Sequence, residues 1–253
     1  MALTGLDLGG TTHANAGTYT DTWTFTDGTG NYNDASSTVT DKIAKANATI
    51  TVTAYDVSYD GNAHIATGSA KGINNVALSG LNLSGTTHTN AGTYTDTWTF
   101  SDPNGNYNDA SSTVTDKISK ADAVIDVKGY TGVYDGNAHG ATGSAKGVKG
   151  EDLSSLLSLG ATFTNVPGGT ATWTFAGNGN YNTGTGTADI VISKADAVID
   201  VKGYTGVYDG NAHGATGSAK GVKGEDLSSL LSLGATFTNV PGGTATWTFA
   251  GNG

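Results

Sequence analysis

Side chains able to do chemistry recur in this sequence at fixed intervals. Asp27-Gly28-Thr29-Gly30-Asn31-Tyr32-Asn33-Asp34 and, 75 positions later, Asp102-Pro103-Asn104-Gly105-Asn106-Tyr107-Asn108-Asp109 crowd carboxylate and amide oxygens into eight residues, the close spacing a calcium loop uses. Asp27, Asp34, Asp102 and Asp109 are therefore weak calcium candidates. Against them, the later copies carry Ala176 and Thr183 in place of the flanking carboxylates, and the bidentate glutamate of an EF-hand is lacking. The competing reading is an Asn/Gly hairpin turn followed by a buried tyrosine. His64, His139 and His213 each follow an Asp-Gly turn, one per interval. They are too isolated for a multi-histidine metal site, so local hydrogen bonding is expected. His13 and His88 have no second ligand within a few residues. No Ser/His/Asp set sits in a nucleophile-turn motif. The sequence accordingly predicts no catalytic residue, no resident metal and no cofactor.

Three further residue classes have both a chemical and a structural reading. Trp23, Trp98, Trp173 and Trp247 could stack on sugars, but their alternation with threonine places them on the apolar row of a strand, and core packing is expected. Lys71, Lys146 and Lys220 recur in Ala-Lys-Gly, where the alternatives are an isopeptide bond to Asn or Asp and a solvated amine at a strand end. Asn47 and Asn82 head Asn-x-Thr/Ser sites for glycan attachment.

The elements that carry these residues are repeats. Ser119 to Gly179 returns without a change as Ser193 to Gly253, 74 positions on, and Thr18 to Phe25 returns as Thr93 to Phe100. Periods of this size mean repeated modules. Alignment of the copies gives boundaries at Lys45, Lys120 and Lys194: 1–44 is the C-terminal part of a repeat, 45–119 a complete repeat of a first subtype, 120–193 a complete repeat of a second, and 194–253 the N-terminal part of another second-subtype repeat. Residues 1–44 lack an opening strand and 194–253 a closing one. The expected explanation is a window on a longer array, with head-to-tail strand donation as the alternative.

Within each repeat the period is two. In Tyr94-Thr95-Asp96-Thr97-Trp98-Thr99-Phe100 the rings fall on alternate positions, the pattern of a strand with one buried and one solvated face. Threonine suits that pleated surface. Asp60-Gly61, Asp135-Gly136 and Asp209-Gly210 read as hairpin turns, as do Asn104-Gly105 and Asn178-Gly179. Gly150 to Leu157 reads as a single helical turn. The fold class is all-β: small immunoglobulin-like sandwiches of about six strands each. Trp98 and Trp173, Ile50 and Ile125, and Tyr107 and Tyr181 are expected in equivalent buried positions. Junctions this short predict repeats arranged end to end.

Composition excludes several function classes. The 253 residues include 22 acidic side chains, 12 lysines and no arginine, for a net charge of −10, so no nucleic-acid partner is expected. With no cysteine there is no disulfide frame, thiol nucleophile or thiolate metal site. No apolar run is long enough to span a bilayer, so no membrane insertion of this segment is expected.

Tyr59-Asp60-Gly61-Asn62-Ala63-His64, its copies at Tyr134 and Tyr208, Asn90-Ala91-Gly92-Thr93-Tyr94, Gly105-Asn106-Tyr107-Asn108 and the closing Ile-Ser-Lys-Ala together resemble the MBG and YDG type repeats of bacterial secreted surface proteins. The resemblance runs over essentially the whole chain. It implies glycine-rich, mostly-β, immunoglobulin-like modules of adhesin-like proteins at the cell surface or outside the cell, and it brings no catalytic residues. The second subtype departs from it at Val166-Pro167-Gly168-Gly169. The function expected is a structural segment of an extracellular repeat protein, a stalk or fibre whose partners are other repeats of the same protein, including head-to-tail copies. The alternative is a multivalent adhesin with surface glycans as partners.

Overall fold

The computed structural model describes residues 3–251; Met1 and Gly253, which mark the ends of the sequence correspondences above, lie outside them. The described residues form strands, turns and isolated 3-10 turns, and no helix among them is long and apolar enough to cross a membrane. The chain divides into two compact units, Met1–Ala121 and Asp122–Gly253.

The first unit opens with β1 (Leu6–Asp7), β2 (Gly17–Phe25) and β3 (Ala35–Ile43), an antiparallel sheet in that order. Seven strands follow: β4 (Thr49–Thr53), β5 (Asp56–Ser58), β6 (Thr67–Lys71), β7 (Ala77–Leu78), β8 (Leu81–Asn82), β9 (Gly92–Phe100) and β10 (Ala110–Ser119). They form two sheets, β4-β6-β7 and β5-β10-β9-β8, in which only β5 and β10 run parallel. The sheets face each other: Leu81 Cδ2 of one lies 3.1 Å from where a Cβ on Gly68 of the other would be. Ala66, Ala70, Phe100 and Ile118 are buried between them. The sheet β1-β2-β3 repeats β8-β9-β10 with the same register, Gly17 opposite Ile43 as Gly92 is opposite Ile118.

The second unit begins with β11 (Val124–Lys128), β12 (Tyr130–Val133), β13 (Thr142–Lys146), β14 (Leu157–Ser158), β15 (Gly168–Phe175) and β16 (Gly184–Ser193), in sheets β11-β13 and β12-β16-β15-β14. A bridge between Lys146 and Asp152 stands where β6 pairs with β7 in the first unit. The helical turn expected near Gly150 is a 3-10 turn at Ser154–Leu156. Its core is Ala171, Ile190 and Ile192, with Phe163 and Tyr130 packed against them. Beyond it lie β17 (Val198–Lys202), β18 (Thr216–Lys220), β19 (Leu231–Ser232) and β20 (Thr248–Phe249), paired β17-β18 and β19-β20.

Two expectations change here. The Asp-Gly turns are not hairpins: Asp60-Gly61 and Asp135-Gly136 carry the chain from β5 or β12 in one sheet to β6 or β13 in the other. The Asp60 carboxylate accepts from Asn62 N at 2.8 Å and Gly61 takes φ 73°, a local closure that needs no flanking ladder. Asn104-Gly105, by contrast, does close the β9–β10 hairpin, with Gly105 at φ 72°. The second change concerns the core. Alternation along β2 and β9 places Thr outward and the rings inward, but Trp98, Trp173, Ile50, Ile125 and Tyr107 are only partly buried, and Tyr181 alone of the six is buried fully. The full-burial positions go to Phe100 and Phe175, two residues beyond each tryptophan. An indole is too large for so thin a sandwich to enclose.

Candidate functional site

The recurring Asp-Gly-Asn-Ala-His turns are built in one way. In each, the aspartate accepts from the backbone N–H two residues on, and the histidine four residues on donates Nε2–H to the same carboxylate: His64 to Asp60 at 3.0 Å, His139 to Asp135 at 2.9 Å and His213 to Asp209 at 2.8 Å. His139 and His213 stack on Tyr130 and Tyr204 with centroids 4.0 and 3.9 Å apart; His64 meets Tyr55 at a tilt. The backbone of each of these three histidines also bridges to a residue of a later loop, His64 to His88, His139 to Phe163 and His213 to Phe237. The histidine thereby pins the turn to the fold.

The calcium candidates are used inside their own loops. Asp27 accepts from the N–H groups of Thr29, Asn31 and Tyr32, at 2.9, 2.7 and 2.8 Å, and from the Thr29 hydroxyl. Asp102 accepts in the same way from Asn104, Asn106 and Tyr107. Asp34 accepts from Asp27 N and Asp109 from the Ser101 hydroxyl. Lone pairs directed at N–H and O–H groups are not directed at a cation. Among the described residues no group of three or more His, Cys, Asp or Glu is disposed to hold a metal ion.

These hydrogen bonds predict a dependence of stability on acid. Backbone N–H donation from Asn62 and Asn137, then the Asn62, His64 and His139 side chains, hold Asp60 and Asp135 well below the ordinary carboxylate value of 3.8; Asp209 and Asp27 are lowered to about 2 by the N–H groups of Asn211 and Thr29 first. A carboxyl depressed in the fold contributes stability that is present above 3.8 and is lost as pH falls through the folded value. Thermal melting is expected to be flat above pH 5 and to drop steadily between about pH 4 and 2. Replacing Asp60, Asp135 and Asp209 together by Ala should lower the melting temperature at pH 6 and flatten that acid limb.

A second cluster is invisible in linear spacing. On the inner face of the first subtype, His88 donates to Asp96 at 2.8 Å and stacks on Tyr94 with centroids 3.6 Å apart. Asp116, fully buried, sits opposite Tyr94 and accepts from Tyr55 N at 2.9 Å; its Oδ2 has no partner. Burial and the charges of Asp116 and Asp96 raise the Tyr55 hydroxyl above its ordinary value. His13, Tyr19 and Asp21 repeat the His-Tyr-Asp set with the same distances.

In the second subtype all four positions turn apolar together. Phe163, Gly169, Ala171 and Ile190 stand where His88, Tyr94, Asp96 and Asp116 stood. A Cβ on Gly169 would lie 2.3 Å from Phe163 Cε1, so the phenyl ring occupies the space that a Tyr94 side chain needs. Where Asp116 captures Tyr55 N with its side chain, the ladder instead runs one pair further, to Tyr130 opposite Ile190. Aligning the subtypes would have shown the four positions changing together, but only the fold shows that they touch.

The remaining candidates sit where a scaffold would have them. Lys71, Lys146 and Lys220 are exposed at the ends of β6, β13 and β18. Asn47 and Asn82 are exposed; Asn47 accepts from Asn108 Nδ2 and Asn82 from Ser84 N. The Trp173 indole lies flat over Gly186, its cross-strand partner, whose Cβ would be 2.4 Å from Cζ2.

Neighbouring repeats meet inside each unit. In the first, Ala16 N donates to Asn106 Oδ1 at 2.7 Å and Asn106 Nδ2 to Asn15 Oδ1 at 3.1 Å. In the second, Asn165 and Val166, the counterparts of Asn15 and Ala16, line a crevice with Phe249 and Gly251 of the following repeat, and Lys223 Nζ donates to the Gly136 carbonyl.

No protein-family model and no curated protein sequence matches the chain. Among solved structures it is similar to protocadherin gamma B2 extracellular cadherin domains 1–5, at 14% identity over 86% of this chain and 54% of that one with a TM-score of 0.23. It is also similar to protocadherin gamma B7 extracellular cadherin domains 1–4, at 11% identity over 80% and 66% with a TM-score of 0.26. The chain thus spans about half of the first and two thirds of the second. Its all-β class rests on its own strand pairing.

Proposed function

We propose that this chain is a structural segment of an extracellular repeat protein, a rod-like stalk or fibre element of a bacterial surface or matrix of the MBG and YDG kind. The observation that carries the reading is the tandem plan together with contacts between neighbouring repeats inside each unit: Ala16 N and Asn15 Oδ1 bonded to Asn106 in one, and Lys223 Nζ bonded to the Gly136 carbonyl in the other. Contacts of this kind between neighbours stiffen an array. The role is non-catalytic. The adhesin reading needs aromatic rings exposed in register; Trp23, Trp98 and Trp173 lie on partly buried inner rows and, contrary to the expected core packing, only Trp247 of the four is exposed, which supports the structural reading over it. Small-angle scattering on arrays of increasing repeat number tests it. The maximum dimension should grow linearly by roughly 30–40 Å per repeat, the length of strands of eight to ten residues. Growth that levels off, or compact particles, would remove the rod.

A further inference from the structure

Asn-Gly is a turn signal and also a reactive pair. Glycine has no side chain to shield its amide, so the nitrogen that follows an asparagine can attack that asparagine's own carboxamide. The sequence holds three such pairs, Asn104-Gly105, Asn178-Gly179 and Asn252-Gly253; the last lies outside the described residues. The first two close the same hairpin in the two subtypes, β9 to β10 and β15 to β16. The fold nevertheless treats their reacting groups in opposite ways.

At Asn178 the electrophile is held and the nucleophile is left free. Asn178 Oδ1 accepts from Asn180 N at 2.8 Å and from Tyr181 N at 3.0 Å, an arrangement that folds the carboxamide back over the Asn178–Gly179 peptide. Two N–H donors on that oxygen stabilise the negative charge it gains when a nucleophile adds to Cγ. Gly179 N donates to no group among the described residues, and a Cβ on Gly179 would meet nothing within 4 Å. Both residues are exposed to water. The loop is pinned in this shape, because Asn178 N donates to Tyr181 O at 3.1 Å and Tyr181 itself is 2% exposed. At Asn104 the roles reverse. Gly105 N is committed to Asp102 O at 3.0 Å, and among the described residues no group donates to Asn104 Oδ1. The acceptor there is the Asp102 carboxylate, which takes Asn106 N and Tyr107 N at 2.7 and 3.1 Å. Asn178 is thus the counterpart of Asp102, an amide in a carboxylate's place.

We propose that Asn178-Gly179 is a self-modifying site, at which the folded loop promotes loss of the Asn178 side-chain amide as ammonia. Gly179 N bonds to Asn178 Cγ, its proton passes through solvent to the departing nitrogen, and the Cγ–Nδ2 bond breaks, leaving a succinimide ring. Water then adds to one of the two ring carbonyls and that carbon's bond to nitrogen breaks. Opening at Cγ leaves an aspartate at position 178; opening at the main-chain carbon leaves an isoaspartate. Water enters and ammonia leaves, with no change of oxidation state. The aspartate reproduces the Asp102 arrangement, with a charged acceptor facing the same two N–H groups. The isoaspartate adds a methylene to the main chain beside Tyr181, whose hydroxyl accepts from Val148 N at 2.8 Å. The proposal stands apart from the rod reading, since it concerns the chemistry of one loop.

The test is incubation of the full chain in warm, mildly alkaline buffer, followed by trypsin and fragmentation mass spectrometry. Asn178 falls in the fragment Gly150–Lys194 and Asn104 in Gly72–Lys117. In the folded chain the amide-to-acid mass shift should accumulate at position 178 at least about tenfold faster than at 104, since attack at 104 first requires a hydrogen bond to break. Unfolding in urea should lower the rate at 178 and raise it at 104. Asn178→Gln, which would have to close a larger ring, should remove the shift from its fragment. Equal rates at the two positions in the folded chain, or a rate at 178 that stays the same or rises in urea, would overturn the proposal. A shift that persists in the fragment carrying Asn178→Gln would overturn its location.

Discussion

Ile190→Asp is expected to destabilise the second unit by about 3–5 kcal/mol, the cost of an uncompensated buried charge. Ile190 is 1% exposed and packs with Ala171 and Ile192. The expectation rests on its counterpart: the chain already places an aspartate, Asp116, at this position in the first subtype, fully buried. There the carboxylate accepts from Tyr55 N, and Asp96 and His88 form a polar pair on the same face. In the second subtype the backbone N–H is already committed to the ladder with Ile190, and the surroundings are Phe163, Gly169 and Ala171. One residue type is thus tolerated or excluded according to three others. Scanning calorimetry should show the transition of the second unit shifted down while that of the first stays in place. Converting all four positions together, Phe163→His, Gly169→Tyr, Ala171→Asp and Ile190→Asp, should cost less than the single change, because contacting positions are coupled. Additive losses would refute the cluster.

Phe175→Ala and Phe249→Ala change the same residue in the same 61-residue sequence, and their costs are expected to differ widely. Phe175 is 2% exposed, enclosed by the completed sheet, and its truncation should cost about 3–5 kcal/mol. Phe249 is only partly buried, so less contact is lost and the site can relax; a cost below about half of that is expected. Urea unfolding of the two variants, followed by circular dichroism, measures the difference. Equal costs would mean that the closing strand does not create the core.

The alternation of rings and threonines along 17–25 and 92–100 was enough to give the strands, their inner face and the all-β class, because a strand's period of two is a local property. Repetition set the expected unit length, and Gly105 marked its hairpin because a left-handed residue closes a turn locally. Spacing also served His64, His139 and His213, whose partners lie four residues away. It failed for His88, because Asp96 is eight residues off and is brought to it by the run of β9 past the loop before it; no linear window of a few residues contains that pair. It failed for the Asp-Gly turns as well, since a turn signal states that the chain reverses without stating to which sheet it goes.

Burial was the property furthest from the sequence. The inner row of β9 is readable from Tyr94, Asp96, Trp98 and Phe100, but which member is enclosed depends on what the opposite sheet offers, and that fell to Phe100. The two identical copies make the division plain. Sequence alone determined β11–β13 and β17–β18, which pair in one register in both, since their partners lie close along the chain and their side chains match. Tertiary structure alone decided whether Tyr130 or Tyr204, and Trp173 or Trp247, are covered and whether β12 exists at all. Those states require a strand from elsewhere in the chain to supply both the missing hydrogen bonds and the missing apolar face.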